Sequence, residues 1–204
     1  MELILALRLE HQNIHFIGCT HWGHSNVLKF DKRPFTSIEE HDNALIENWN
    51  KKVKKGDIVF HLGDITFKSP NYINPILEQL NGEIYLVGGN HDKLKEVKKM
   101  PKIKKVFGLL DLYVKDDKAD DKLGNQQHIV LSHYPILSWN RSHYRSWMLH
   151  SHTHQNLAKD PFYDWYYKRK VIDVGVNGIN YEPISYSEVK TIMLNKKVDL
   201  LNLD

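Results

Sequence analysis

Three histidines alternate about three quarters of the way along the chain, at His150, His152 and His154. In an extended segment alternate side chains project to one side, so the spacing predicts a face that carries three imidazoles. Such a face suits a transition metal better than a core, but two or three nitrogens do not complete a metal site. Other parts of the chain must therefore supply the missing ligands.

Further candidate ligands stand just after short apolar runs that we predict to be strands. They are Cys19, His21, Asp64, Asn90 and His133. In open α/β sheets ligands bind at the carboxyl ends of the strands. Imidazole suits zinc, iron and related metals, and a carboxylate can bridge two cations. The set is too large for one four-coordinate ion, and two metals roughly 3.5–4 Å apart form the clamp used in phosphoryl displacement.

The same residues form five motif blocks in the order of a known family. The blocks are Cys19-Thr20-His21, Gly63-Asp64, Gly89-Asn90-His91-Asp92, His133 and Ser151-His152-Thr153-His154. In these blocks the chain resembles the calcineurin-like metallophosphoesterases, whose pattern is Asp-x-His, Gly-Asp, Gly-Asn-His-Asp/Glu, His and Gly-His-x-His. The resemblance spans roughly residues 14 to 155. It implies an α/β fold in which two central mixed β-sheets pack as a sandwich with flanking helices.

The resemblance also implies a ligand set for two divalent transition metal ions, with Mn, Fe, Zn and Ni as candidates. Asp64 would bridge both ions. The first ion would be bound by His21 and His154, with Cys19 at the position of a further ligand. The second would be bound by Asn90, His133 and His152.

For catalysis, the resemblance makes His91 the general acid that protonates the leaving oxygen, oriented by Asp92. A metal-bridging hydroxide would attack phosphorus in line, and a bound metal can lower the pKa of water to about 7. The expected substrate is a phosphodiester or a phosphomonoester of small-molecule or nucleotide type. Protein phosphatases of the same superfamily are disfavoured, because Gly63-Asp64 runs into Ile65-Thr66-Phe67 instead of an Asp-Arg-Gly.

Two residues depart from the family pattern. Ser151 stands where glycine is usual, and Cys19 stands where the family has its first aspartate. Cys19 either binds a metal as a thiolate, which would favour zinc or iron, or is a non-ligand that weakens the first site, or is an altered residue. Thiolate ligation is the favoured interpretation. The second interpretation motivates an alternative function, a metal-binding scaffold or regulatory module with weakened catalysis.

Substrate contacts are predicted from a second resemblance. The run Trp22-Gly23-His24-Ser25-Asn26, followed by Arg33-Pro34-Phe35, is similar to a small bacterial and phage subgroup of these phosphoesterases. We expect His24, Asn26 and Arg33 to bind substrate, since a planar guanidinium suits bidentate contact with phosphate.

The elements that must position these residues alternate between strands and helices. Strands are predicted at 13–17, 58–62, 84–87, 110–114, 128–131, 147–150 and 171–176, and an edge strand at 191–194. Helices are predicted from Ser37, with Thr36 or Ser37 as cap, and over 75–80. The seven lysines between Lys93 and Lys105 are interpreted as a solvated helix face.

Length and composition agree with a single domain over residues 1–204. The net charge is +3, with 28 basic and 25 acidic residues, which gives no strong signal for nucleic-acid binding. Cys19 is the single cysteine, so a disulfide framework is excluded. With no secretory signal and no apolar stretch of membrane-spanning length, a cytoplasmic location without membrane partners is expected. The oligomeric state stays open.

Overall fold

The computed structural model describes residues 8–10, 13–122, 124–154, 166 and 168–196. Within them the strands form two five-stranded mixed sheets with helices outside, so the predicted α/β fold with two mixed sheets is confirmed. The strands are β1 (Arg8–Glu10), β2 (Ile14–Ile17), β3 (Ile58–His61), β4 (Glu83–Val87), β5 (Ile103–Phe107), β6 (Leu109–Lys115), β7 (Gln126–Ser132), β8 (Trp147–His150), β9 (Val171–Asp173) and β10 (Ile184–Ser185). The helices are α1 (Ser25–Phe30), α2 (Ile38–Lys52), α3 (Pro70–Leu77), α4 (Leu94–Val97) and α5 (Tyr186–Asn195).

The first sheet has the order β10-β2-β3-β4-β5. Strands β2 to β5 run parallel, and β10 pairs antiparallel with β2. Because β2, β3 and β4 are parallel, their carboxyl ends and the loops that follow them lie at the same edge. These loops carry the first three motif blocks.

The second sheet has the order β1-β6-β7-β8-β9. Strands β7, β8 and β9 run parallel, whereas β6 pairs antiparallel with β7. The loops after β7 and β8 carry His133 and the last motif block. A parallel bridge between Gly18, after β2, and Gly175, after β9, brings this edge against the corresponding edge of the first sheet.

One hydrophobic cluster lies between the two sheets. Phe16 and Phe60 come from the first sheet and Leu131 and Trp147 from the second, and all are fully buried. Burial of a large apolar side chain contributes about 1.5–3 kcal/mol, so this shared cluster fixes the sheets, and with them the two sets of loops, against each other.

Helix α2 begins where the sequence predicts. The Ser37 side chain accepts a hydrogen bond from the Glu40 amide, two glutamates lie in the first turn, and Lys51 and Lys52 lie in the last turn. These charges complement the helix dipole. The expected helix with a serine cap is therefore confirmed.

Three other expectations about elements are wrong. The segment 191–194 is not an edge strand but part of α5, because Ser185 and Glu188 form a capping box that starts a helix. Helix α3 starts earlier than predicted, at Pro70, and contains Pro75. The lysine-rich segment forms only the short helix α4 and then the strand β5.

No helix in the described part of the chain combines the length and the apolar character needed to cross a membrane.

Candidate metal centre

The candidate ligands lie where the loops of the two sheets meet. The His152 amide donates to Cys19 Sγ at 3.1 Å, which joins the loop after β8 to the loop after β2. His133 Nδ1 donates to the Leu62 carbonyl at 2.7 Å, which joins the loop after β7 to the end of β3. Residues far apart in sequence are therefore brought to one site by the pairing of the sheet edges.

Cys19, His21, Asp64 and His154 form the first group of potential ligands. One ligand atom of each lies within 4.8 Å of the others. His21 Nε2 lies 3.1 Å from His154 Nε2 and 3.8 Å from an oxygen of Asp64. The members predicted for the first ion are thus adjacent, and Cys19 lies among them.

The second group of potential ligands consists of Asp64, His133 and His152. One ligand atom of each again lies within 4.8 Å of the others. His133 Nε2 lies 3.1 Å from His152 Nδ1, 3.4 Å from an Asp64 oxygen and 2.9 Å from Asn90 Oδ1. Asp64 belongs to both groups, as a bridging carboxylate must. The structure brings all seven predicted ligands together, while their ligation of metal stays a prediction.

The donor atoms fit cations. His133 and His154 each donate through Nδ1, to the Leu62 carbonyl and to Asp31, so in the neutral ring the Nε2 of each carries a lone pair. Each Nε2 faces another ring nitrogen at 3.1 Å. Among the described residues, His21 Nδ1 is buried without a hydrogen-bond partner. Converging imidazole lone pairs beside a carboxylate suit a divalent transition metal.

The backbone at the site is strained. Cys19, His21, Asp64, His152 and His154 all have positive φ, between 47° and 67°. Non-glycine residues rarely adopt this left-handed region, which costs of order 1–3 kcal/mol per residue and clusters at functional sites. The left-handed turns also show that His152 and His154 do not continue β8 as an extended face.

Electrostatics favour a neutral imidazole at His21 and an ionised carboxylate at Asp64. Burial lowers the pKa of His21 to about 2. Burial alone would raise the pKa of Asp64, but His133, the His91 amide and His21 together lower it to about 2. Burial strongly raises the pKa of the Cys19 thiol, so without a cation that group is neutral. Neutral histidines and an anionic bridge are the forms that bind metal.

Two glycines allow the loops to approach each other. Gly63 has a φ of 90°, and a Cβ there would lie 2.7 Å from the Cα of Gly89. A Cβ at Gly89 would overlap the Asp64 carboxylate. Space therefore restricts both positions of the motif to glycine, and at Gly63 the positive φ does so as well.

Asp92 holds these loops together through their backbone. One carboxylate oxygen accepts from the amides of Asp64 and Gly89, both at 2.8 Å, and the other accepts from the Ile65 amide at 2.9 Å. These contacts fix the loops after β3 and β4. That Asp92 also orients the His91 ring stays a prediction.

His91 lies at the open side of the site. The residue is exposed, its amide donates to Asp64 Oδ1 at 3.0 Å, and its ring lies 4.2 Å from the ring of Phe67. The His24 ring also lies 4.5 Å from the Phe67 ring, and it lies 6.0 Å from the His21 ring. His24 is thus near the predicted general acid. Asn26 is exposed in α1, and its contact with substrate stays a prediction.

Arg33 requires a correction. Its side chain is 0% exposed, and its guanidinium donates to Asp31 and to the carbonyls of Cys19 and Thr20. The expectation that Arg33 contacts a substrate phosphate is wrong, because protein oxygens already bind its nitrogens. The sequence shows a guanidinium near the motif, but not the direction in which it points.

Three residues at the site were missed by sequence reasoning. Asp31 lies 2.8 Å from His154 Nδ1, Phe67 contacts three histidine rings, and the Tyr134 ring lies 4.6 Å from that of His152. Phe67 and Tyr134 are three residues and one residue beyond a predicted ligand, so proximity in sequence could have indicated them. Asp31 offered no such signal.

The remaining motif residues are buried beneath the site. His150 is fully buried, with Nδ1 2.9 Å from the Ser151 carbonyl, and is not in either ligand group. The Ser151 hydroxyl donates to the Leu62 carbonyl at 2.5 Å. The predicted three-imidazole face is therefore reduced to His152 and His154.

Comparison with known proteins gives one family and three relatives. The family model described as calcineurin-like phosphoesterase matches residues 13–201. "Uncharacterized protein MJ1445" of Methanocaldococcus jannaschii is 35% identical over 94% of this chain and 97% of its own length. "Gene 66 protein" of Mycobacterium phage D29 is 27% identical over 72% and 81%. The crystal structure of the protein of unknown function AQ665 from Aquifex aeolicus has a TM-score of 0.65 at 25% identity, over 88% of this chain and 98% of that one.

Proposed function

Because the chain belongs to the calcineurin-like phosphoesterase family, we propose that it hydrolyses phosphate esters with two divalent transition metal ions. The observation that carries the proposal is the pair of ligand groups that share Asp64. One carboxylate common to two clusters of imidazole nitrogens is the arrangement that a two-metal centre needs. When bound, such ions supply a water nucleophile at neutral pH and offset the charge of the phosphoryl oxygens.

The first ion would be held by His21, His154 and Asp64, and the second by Asn90, His133 and His152 with the same aspartate. Cys19 is proposed as a further ligand of the first ion. Its sulfur lies within the first ligand group and is buried, and a bound cation stabilises the thiolate that burial otherwise disfavours. A thiolate favours zinc or iron over manganese at that ion.

His91 is proposed as the general acid. It is exposed beside the shared carboxylate, and its ring rests against Phe67, which limits the positions the imidazole can take. A proton held there can reach the leaving oxygen of an ester bound over the metals. Positioned general acids typically contribute 10²–10⁴-fold to rate.

The proposed substrate is a phosphodiester or phosphomonoester of small-molecule or nucleotide type. The support is the position of Phe67 beside His91 on one side of the centre and of Tyr134 beside His152 on the other. Tyr134 is 47% exposed, so an aromatic face is open to a planar leaving group. The balanced net charge gives no added preference for a long polyanion.

The alternative function is a metal-binding scaffold with weakened catalysis. It would follow if Cys19, at the position of the family's first aspartate, does not bind the first ion. Elemental analysis, combined with assays on chromogenic mono- and diesters in Mn²⁺, Zn²⁺ and Fe²⁺, separates the two functions. Two bound ions with turnover support the hydrolase. Folded protein without turnover in any of the three metals favours the scaffold.

Variants can assign the ions to their groups. Asp64→Ala should lose both ions, whereas His154→Ala and His152→Ala should each lose one. His128→Ala is a matched control, since His128 is a buried histidine that donates to Asp111 in the second sheet. It should keep both ions. A wild-type stoichiometry unchanged in Asp64→Ala would contradict the shared site.

A further inference from the structure

A buried ion pair lies behind the first ligand group. Asp31 follows α1, and its side chain is 4% exposed. Its two oxygens lie 2.9 and 2.8 Å from His154 Nδ1. Arg33 donates to the second of these oxygens from Nε at 3.3 Å and from a terminal nitrogen at 3.1 Å. Of the two oxygens that face His154, Oδ2 is thus also the one that Arg33 binds.

The same guanidinium holds the other ligand-bearing loop. Its terminal nitrogens donate to the Cys19 carbonyl at 2.9 Å and to the Thr20 carbonyl at 3.1 Å. This is the loop after β2 that carries Cys19 and His21. One Asp–Arg pair therefore contacts two of the three loops that contribute to the first ligand group, the loop after β2 and the loop after β8.

The Arg33 guanidinium also contacts helix α2. Its terminal nitrogen donates to His41 Nε2 at 2.8 Å, and His41 Nδ1 donates to Asp42 at 2.8 Å. Asp42 also accepts from the Gly23 amide at 2.9 Å. Each member of this network has a partner, so the pair is anchored to α2 and does not depend on solvent.

We propose that Asp31 is a positioning residue for the first metal ion. By accepting the Nδ1 proton of His154 it sets the ring orientation and leaves the Nε2 lone pair toward His21 and Asp64. Arg33 sets the distance between this histidine and the loop of Cys19 and His21. The inference rests on the proposed function, because it takes His154 as a ligand. A carboxylate behind a ligating histidine typically matters 10–100-fold in metal affinity.

The first test needs no metal. Long-range ¹⁵N–¹H correlation spectra of the chelator-treated protein report which nitrogen of each histidine carries the proton. Wild type should show His154 protonated at Nδ1. Asp31→Ala should shift His154 toward the Nε2-protonated form. A wild-type His154 protonated at Nε2 would overturn the proposal by itself.

Asp31→Asn is the conservative variant. Its amide oxygen can occupy the Oδ2 position that faces both Arg33 and His154, while its NH₂ group takes the Oδ1 position, 2.9 Å from the same Nδ1, so the Nδ1-protonated form should be kept in part. If Asp31→Ala fails to fold, the wild-type spectrum and Asp31→Asn decide. An Asp31→Asn variant in which His154 is protonated entirely at Nε2 would count against an oxygen acceptor at this position.

The second test measures metal affinity. Calorimetric titration with Zn²⁺ and Mn²⁺ should show two ions in wild type, a 10–100-fold loss at one of them in Asp31→Ala, and a smaller loss in Asp31→Asn. Asp111→Ala is the matched control, because Asp111 is a buried partner of His128 at 2.7 Å, outside the site. It should leave both affinities unchanged while removing a similar ion pair.

The outcomes separate the two proposals. If wild type binds two ions and Asp31→Ala binds both with unchanged affinity, the role of Asp31 is refuted and the hydrolase remains. If wild type binds neither Zn²⁺ nor Mn²⁺, both proposals are refuted.

Discussion

Asp92→Asn tests whether this carboxylate acts through the backbone or through the His91 ring. Its two oxygens accept three backbone amides, from Asp64, Ile65 and Gly89. An asparagine can present one oxygen to the pair of amides from Asp64 and Gly89. Its NH₂ group then faces the Ile65 amide, so a donor meets a donor.

The expected cost follows from these three bonds. An unpaired buried amide costs about 1–3 kcal/mol, and changing two bonds from charge-assisted to neutral costs about 1 kcal/mol each. Burial raises the pKa of Asp92, which means that its charge is partly desolvated, and removal of that charge offsets some of the loss. We expect Asp92→Asn to lower the free energy of unfolding by about 2–4 kcal/mol.

Urea unfolding followed by circular dichroism measures this loss, with metal removed so that binding does not contribute. His91→Ala is the control, because His91 is exposed and should lose little stability. If Asp92→Asn kept wild-type stability and lost activity as His91→Ala does, the backbone role would be refuted and ring orientation supported.

Three further changes have distinct readouts. His91→Ala should lower kcat by about 10²–10⁴-fold at unchanged metal content, and equal kcat would remove His91 from the acid role. Cys19→Asp should shift the metal preference from zinc toward manganese, because a carboxylate oxygen replaces a thiolate. The aspartate oxygens can accept the His152 amide as the sulfur does, so the loop should be kept. Identical metal content and rate would show that this position does not touch the metal. Ser185→Ala should destabilise the protein by about 1 kcal/mol in urea unfolding, because the capping box of α5 is lost; no loss would mean that the helix does not need this cap.

The predictable part of the fold is the part with short-range signals. Apolar runs that end in polar motif residues mark β2, β3, β4 and β7, and Ser37 with its following acids marks α2. The edge strand expected at 191–194 is wrong because the signal that decides this segment lies outside it. The run itself is apolar, but Ser185 and Glu188 start a helix before it. A cap six residues away overrides the local preference of the apolar run.

At the site, the motif residues that follow the strands predict the metal ligands, but they do not predict the side chains that position those ligands. Each ligand lies in a loop that follows a strand, so sheet topology brings it to the common edge. Arg33 shows where this reasoning stops: its residue type suits phosphate, yet Asp31 and two carbonyls bind it in the interior. Asp31 and His154 are 123 positions apart and share no motif. A partner of this kind is selected by where two loops happen to meet, and that depends on the packing of the two sheets, which no local pattern encodes.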